Sequence, residues 1–321
     1  MTAAFGDDIA AGRLLERGEC SRRFRLGSPR NHGPALEGAP GIGNPRTAMA
    51  DGGWHELERF IDGSPAVVEA YDTATPDFER FVDELDGWFR QQPLPTAELD
   101  RRAREAGAAG LATRLALKLA ESRRILRGLD APLTVTLLNP VYKETGRMQR
   151  RADHPHGEDS IRHKLKTLRQ LESLSDHLTT RLVVVDDECP NDSGRMAQQI
   201  LRESGDEGES GRHRVLFLRE AIDAGDPDLP HGLTHKDGSR RSVKGGALLY
   251  AMRKALRHEA AGLHVLVDND ADLSVHPGQI GLLIEDILRG EAQAVAGSRR
   301  EPDSVAQLPE DVGHRLPVAS P

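Results

Sequence analysis

Three aspartates alternate at the end of an apolar run in LHVLVDNDADLS, Leu263 to Ser274. If the strand ran on, Asp268, Asp270 and Asp272 would put three carboxylates on one face. Like charges that close raise one another's pKa unless a positive group stands between them. A divalent cation is the chemistry this pattern suits best, because Mg²⁺ and Mn²⁺ take a few carboxylate oxygens and share the rest of their shell with phosphate. Three other readings fit less well. A calcium loop wants Gly at its sixth place and Glu at its twelfth, where this chain has Leu273 and Gln279. A phosphatase of the haloacid dehalogenase kind wants Thr or Val where Ala271 stands, and carries its motif on the first strand. Plain helix capping by Asp272 or Ser274 explains one acidic residue better than three.

The other residues able to do chemistry stand at similar places. NPVYKE, Asn139 to Glu144, closes a strand-like run, and VVVDDECPNDSG, Val183 to Gly194, closes a second. Asp186 and Asp187 there stand at a strand end, where they could meet a ligand or cap the next helix. SVKGGALLYAM opens a helix in which Gly245 and Gly246 permit close backbone approach to an anion, with Lys244 as a point charge for phosphate. HPHGED, His154 to Asp159, could offer imidazoles to a metal but reads better as a solvated turn, and HGLTHKDGSR, with Arg240 and Arg241 in or beside it, reads as a polar loop near the site. Cys189 has no basic neighbour in sequence and is given no thiol chemistry.

The elements that must position these residues follow from periodicity. Leu133–Asn139 reads as a strand, Glu158–Leu178 as a helix, RLVVVDD as a buried strand, Gly194–Glu203 as a helix capped from Asp192 to Gly194, and RVLFL as a third strand. The KGG helix, LHVLVD, a helix opening at Pro277 and the strand AQAVAG complete the series. Such alternation implies an α/β fold with a mostly parallel sheet, flanking helices and a ligand site beyond the carboxyl ends of the strands. Residues 51–130 read as a helical region, with Phe78, Phe81, Val82, Leu85 and Phe89 on one face and Leu111, Leu115, Leu119 and Ile125 on another. Residues 1–50 lack a period and read as a disordered tail, or as an extension upstream of Met49. Residues 305–321 read as a second disordered tail.

The ordered series NPVYKE, VVVDD, SVKGGALLYAM, DADLS and VAGSRR resembles the family-2 glycosyltransferases, closest to the bacterial dolichyl-phosphate-glucosyltransferase-like proteins with a DADLS motif. The likeness covers Leu133 to about Ser304. It implies a glycosyltransferase A, Rossmann-like domain over residues 131–304 that binds a nucleotide-diphosphate sugar. It also implies roles: Pro140, Tyr142 and Glu144 border base and ribose; Asp186 and Asp187 read the base; Lys244, Gly245 and Gly246 meet phosphate. Asp270 and Asp272 hold Mg²⁺ or Mn²⁺, and Arg299 follows the Gly-Ser of the fifth strand. The activity implied is metal-dependent and inverting, towards a polyprenyl phosphate or a small hydroxyl compound. Relatives continue well past the Gly-Ser-Arg strand, so the acceptor side is expected to be truncated here and no catalytic base is assigned. Glu188-Cys189-Pro190 after the acidic pair departs from the commoner Gly-Ser and leaves the base open. The alternatives are a nucleotide-sugar-binding fragment without turnover and a sugar-nucleotide nucleotidyltransferase, the last disfavoured because NPVYKETGR has one glycine.

Bulk properties set outer limits. A formal charge of −8 argues against a nucleic-acid partner, and 4% aromatic residues argue against stacking on single strands. Two cysteines far apart give no disulfide framework and fit a cytoplasmic protein. No stretch approaches the ~18 apolar residues of a transmembrane segment.

Overall fold

The computed structural model describes residues 2–5, 76–91, 111–205, 212–233 and 244–297. Its centre is a mostly parallel sheet with helices on both faces, a Rossmann-like α/β arrangement. The strands are β1 (Thr2–Phe5), β2 (Leu133–Val141), β3 (Leu178–Asp186), β4 (His213–Phe217), β5 (Leu263–Asp268) and β6 (Ala294–Ala296). Their spatial order is β4-β3-β2-β5-β1-β6. β4, β3, β2 and β5 are mutually parallel, while β1 runs antiparallel between β5 and β6. The short β1 lies inside the stretch expected to be structureless, and TAAF is too brief to carry a period of its own.

The helices are α1 (Pro76–Gln91), α2 (Leu111–Arg127), α3 (Thr145–Met148), α4 (Ser160–Glu172), α5 (Ser193–Glu203), α6 (Leu218–Ala224), α7 (Lys244–Leu256) and α8 (Ile280–Leu288). Strand side chains alternate between faces, and each face meets its own helices. Val135, Leu137, Leu182, Val184, Val265 and Val267 share a core with Ile161, Leu165 and Leu168 of α4, Ile200 of α5 and Ile284 of α8. Leu138, Val183, Val185 and Leu266 pack instead on Ala247, Tyr250, Ala251 and Ala255 of α7.

Phe78, Phe81, Val82 and Leu85 are buried on α1, as their spacing predicts. The side chains of Phe89 and Leu111 lie outside the described residues. On α2, Leu115, Leu119 and Ile125 are buried, but so are Ala116, Leu117, Ala120 and Leu126, because this helix is covered on more than one side. Asp83 and Asp86 of α1 pair with Arg123 and Arg127 of α2. Against α8, the approach is close enough to require glycine: a Cβ on Gly281 would lie 2.3 Å from the main-chain oxygen of Ser122, whose Oγ accepts the Gly281 N–H at 2.8 Å. Ile125, Leu126 and Leu129 belong to the same core as the sheet.

Element boundaries differ from the sequence expectation, most clearly at two places. The helix predicted to reach Leu178 ends at Glu172, and Leu178 is the first residue of β3. Ser173 and Ser175, with Asp176, make the intervening turn, in which Leu174 N–H returns to Leu171 O. Leu218, expected in the third strand, opens α6 instead.

The chain leaves β2 towards β3 and β4, then returns to place β5 on the other side of β2. The strand order therefore reverses between β2 and β5. A crevice forms at such a point because successive connections diverge to opposite sides.

Candidate functional site

At the carboxyl end of that switch lies a cavity of about 240 Å³, lined by Pro140, Val141, Tyr142, Glu144, Arg147, Asp187, Lys244, Asp270, Ala271 and Asp272. It collects residues from the ends of β2, β3 and β5 and the start of α7. Seven of the eleven residues singled out in the sequence line it: Pro140, Tyr142, Glu144, Asp187, Lys244, Asp270 and Asp272. Asp186, Gly245 and Gly246 do not line it, and Arg299 lies outside the described residues, as do Arg240 and Arg241.

The three alternating aspartates do not share a strand face. β5 stops at Asp268, and the chain bends from Ala271 to Val275. The positive group between the first two is Lys244. Its ammonium pairs with Asp270 Oδ1 and lies 3.6 Å from Asp268 Oδ2. Burial pushes the Lys244 pKa down, but the bond to Asp270 and the charges of both aspartates outweigh it, and the net direction is up. Asp268 is pushed up, chiefly by burial and against the pull of Lys244. Its Oδ1 is buried and accepts no hydrogen bond. Asp272 takes no part in that pairing: its Oδ1 accepts from Ser274 Oγ at 2.6 Å and Ser274 N at 3.1 Å. The helical turn at Pro277–Gln279 is capped by neither Asp272 nor Ser274 but by His276, whose Nδ1 accepts the Gly278 N–H at 3.0 Å.

Asp186 and Asp187 are placed differently. Asp186 ends β3 and takes Cys189 N–H on Oδ1 at 2.8 Å and Gly194 N–H on Oδ2 at 2.7 Å. Burial raises its pKa against these two bonds. Asp192, expected among the caps of α5, stands at the N-cap position with φ of 57° and makes no capping bond; Asp186 supplies it from the strand. Gly194 is needed there, since a Cβ would lie 2.6 Å from Asp186 Cβ. Asp187, only 2% exposed, lines the cavity, and its N–H donates to Val141 O at 3.2 Å.

The rim is made by two tight turns. Lys143 and Glu188 both have positive φ, 61° and 54°, in residues that carry a Cβ. Cys189 joins the turns: its Sγ accepts the Lys143 N–H at 3.1 Å and contacts Ser193 Oγ at 3.1 Å. Glu144 N–H donates to the same Ser193 Oγ at 2.9 Å. Tyr142 stands 38% exposed at this edge, the exposed large hydrophobic side chain among the described residues, and the Lys143 ammonium lies 5.4 Å from its ring centre.

Sequence reasoning missed two cations here, Arg147 on the cavity wall and Lys164 buried outside it. Arg147 pairs with Glu144 at 2.8 Å and Glu158 at 3.4 Å. Burial pulls its pKa down, yet Glu144, Asp272 and Glu158 leave it raised. Lys164 of α4 is 0% exposed. Burial lowers its pKa to about 7 despite the charges of Asp272, Glu158, Asp270 and Glu144. A signal for it exists in the sequence: Lys164 is three residues after Ile161 and four before Leu168, on the apolar stripe itself.

Among the described residues no three His, Cys, Asp or Glu side chains converge closely enough to hold a metal by themselves. His154 and His156 of the HPHGED turn are set ring to ring at 5.7 Å, and the His154 Nδ1 accepts the His156 N–H. At the acidic tip the donors are all oxygens, Asp270 and Asp272 both face the cavity, and Asp268 Oδ1 has no hydrogen-bond partner. That set fits a hard divalent cation that completes its shell with ligand phosphate. Comparisons with protein-family models, curated proteins and solved structures give no significant match. Among the described residues no helix is long and apolar enough to cross a membrane.

Proposed function

We propose that this chain binds a nucleotide-diphosphate sugar in the switch-point cavity and acts as a metal-dependent, inverting glycosyltransferase of the glycosyltransferase A type. The observation that carries the reading is the gathering of Tyr142, Asp187, Lys244, Asp270 and Asp272 from three strand ends and a helix start around one cavity. Asp187 accepts a base N–H on the β3 side, and the Tyr142 ring offers a flat apolar surface beside it. Lys244 opens α7, where free main-chain N–H groups favour anions, and its ammonium meets the diphosphate. Asp270 and Asp272 hold Mg²⁺ or Mn²⁺. When bound, such a cation supplies Lewis-acid stabilisation of the charge that grows on the diphosphate leaving group. Arg147 adds fixed positive charge on the Glu144 side of the cavity. A phosphate acceptor, such as a polyprenyl phosphate, needs little help from a base, whereas a hydroxyl acceptor does.

Calorimetry with UDP-sugars, GDP-sugars and other nucleotide sugars, with and without Mn²⁺, tests this. The expected result is cation-dependent binding of one nucleotide class, weakened at least tenfold in Asp270→Ala and in Asp272→Ala. Binding that ignores the cation and survives both substitutions would overturn the reading. Binding with no transfer to any acceptor supports a nucleotide-sugar-binding fragment, and consumption of a nucleoside triphosphate supports a nucleotidyltransferase.

A further inference from the structure

The segment from Asn269 to Val275, which carries Asp270 and Asp272, makes no strand or helix, yet three of its main-chain groups are held by side chains from outside it and a fourth by its own Asn269. Asn139 Nδ2 donates to Asn269 O at 3.1 Å. Lys164 Nζ donates to Asp270 O at 2.5 Å and lies 3.4 Å from Asn139 Oδ1. Glu158 Oε2 accepts the Leu273 N–H at 3.0 Å, and Asn269 Nδ2 donates to Val275 O at 3.4 Å. Lys164 is the central member, since it alone touches both the β2 end and the Asp270 main chain.

A fully buried ammonium carries a desolvation cost of several kcal/mol, and an apolar chain of the same length is often as stable or more so. The flanking residues Ile161, Leu165 and Leu168 show that this helix face is built for apolar side chains. A lysine there serves something other than packing. Its long stem crosses the core from α4, and its head ends under the acidic tip.

We propose that Lys164 is the positioning residue that presents Asp270 and Asp272 to the cavity, by fixing the main-chain oxygen of Asp270 against the end of β2. This rests on the reading of the cavity as a cation–diphosphate site. Lys164 touches no ligand itself: it is fully buried and does not line the cavity. Without the anchor, Asp270 and Asp272 no longer keep one spacing, and each binding event must order the segment anew.

The test compares wild type, Lys164→Met and Lys164→Gln by three measurements: thermal unfolding, amide hydrogen exchange at Leu273 and Ser274, and calorimetric titration with UDP and with GDP in the presence of Mn²⁺. Lys164→Met is expected to melt at or above the wild-type temperature, to exchange these amides at least tenfold faster, and to bind the preferred diphosphate at least tenfold more weakly. Lys164→Gln, which keeps a donor, is expected to fall between. Unchanged exchange and unchanged affinity in Lys164→Met would overturn the proposal, as would losses that follow a lowered melting temperature equally in both variants. Should Lys164→Met not fold, Lys164→Gln decides: faster exchange with weaker binding supports the anchor, and wild-type values for both refute it. If the wild-type protein binds neither diphosphate, the cavity reading fails, and exchange alone then decides whether Lys164 holds the segment.

Discussion

The Lys244 ammonium pairs with Asp270 and lies within 3.6 Å of Asp268, so a side chain holds the place between two carboxylates that a bound cation would also seek. On the proposed reading, lysine and divalent ion would compete there unless phosphate arrives with the ion. Lys244→Met is therefore expected to shift the two affinities in opposite directions. Mn²⁺ alone binds more tightly, because no ammonium has to leave Asp270. The Mn²⁺–diphosphate pair binds about tenfold more weakly, the equivalent of about 1.4 kcal/mol for a lost charge-assisted bond. Paramagnetic titration of free Mn²⁺, with and without nucleotide, measures both.

Asp186 and Asp187 are adjacent in sequence, and their substitutions should separate stability from binding. Asp186→Ala leaves the Cys189 and Gly194 N–H groups without their acceptor and is expected to cost about 2–3 kcal/mol of stability. Asp187→Asn is expected to melt close to wild type and to lose nucleotide affinity. Denaturant unfolding beside nucleotide titration checks the pair, and the reverse pattern would show that the roles are exchanged.

Acid should destabilise the fold partly through His276. Burial, with His163 at 5.3 Å and Arg123 adding positive charge, lowers its pKa from the ordinary 6.5 to about 3. The unfolded chain therefore takes up a proton that the folded one refuses as pH falls from about 6.5 to about 3. Stability is full above that window and declines through it, by at most about 1.4 kcal/mol per pH unit for this one group. His276→Asn, which keeps an acceptor for the Gly278 N–H, is expected to flatten the slope of urea-unfolding free energy against pH between 6.5 and 4. An unchanged slope would remove His276 as a cause.

Much of this was legible in the sequence because strand–helix alternation and the 3.6-residue stripe are direct consequences of burying one face. Leu133, Val183 and Val265 sit where those periods put them. The ends of elements were harder. A helix that stops at Glu172 and a strand that starts at Leu178 are separated by a short polar turn with leucines on both sides, so apolar spacing alone runs across the break. The lining of the cavity was readable where a residue type has few other uses at a strand end, as with Asp187, Asp270 and Asp272. It was not readable where one letter serves two purposes: Asp186 carries the same group as its neighbour, and only its two short bonds to backbone reveal it as a cap. Arg147 and Lys164 were hidden by context, the first in a turn rich in charge and the second among leucines.

The sulfur of Cys189 has a consequence for how the mouth of the cavity behaves. Through Lys143 N–H on one side and Ser193 on the other, it couples the turn after β2 to the turn after β3. Tyr142 and Asp187, one on each turn, are thereby yoked. A guest that tilts the ring also drags on Asp187, so this side of the mouth accepts or refuses a shape whole, with little room for the two contacts to adjust one at a time.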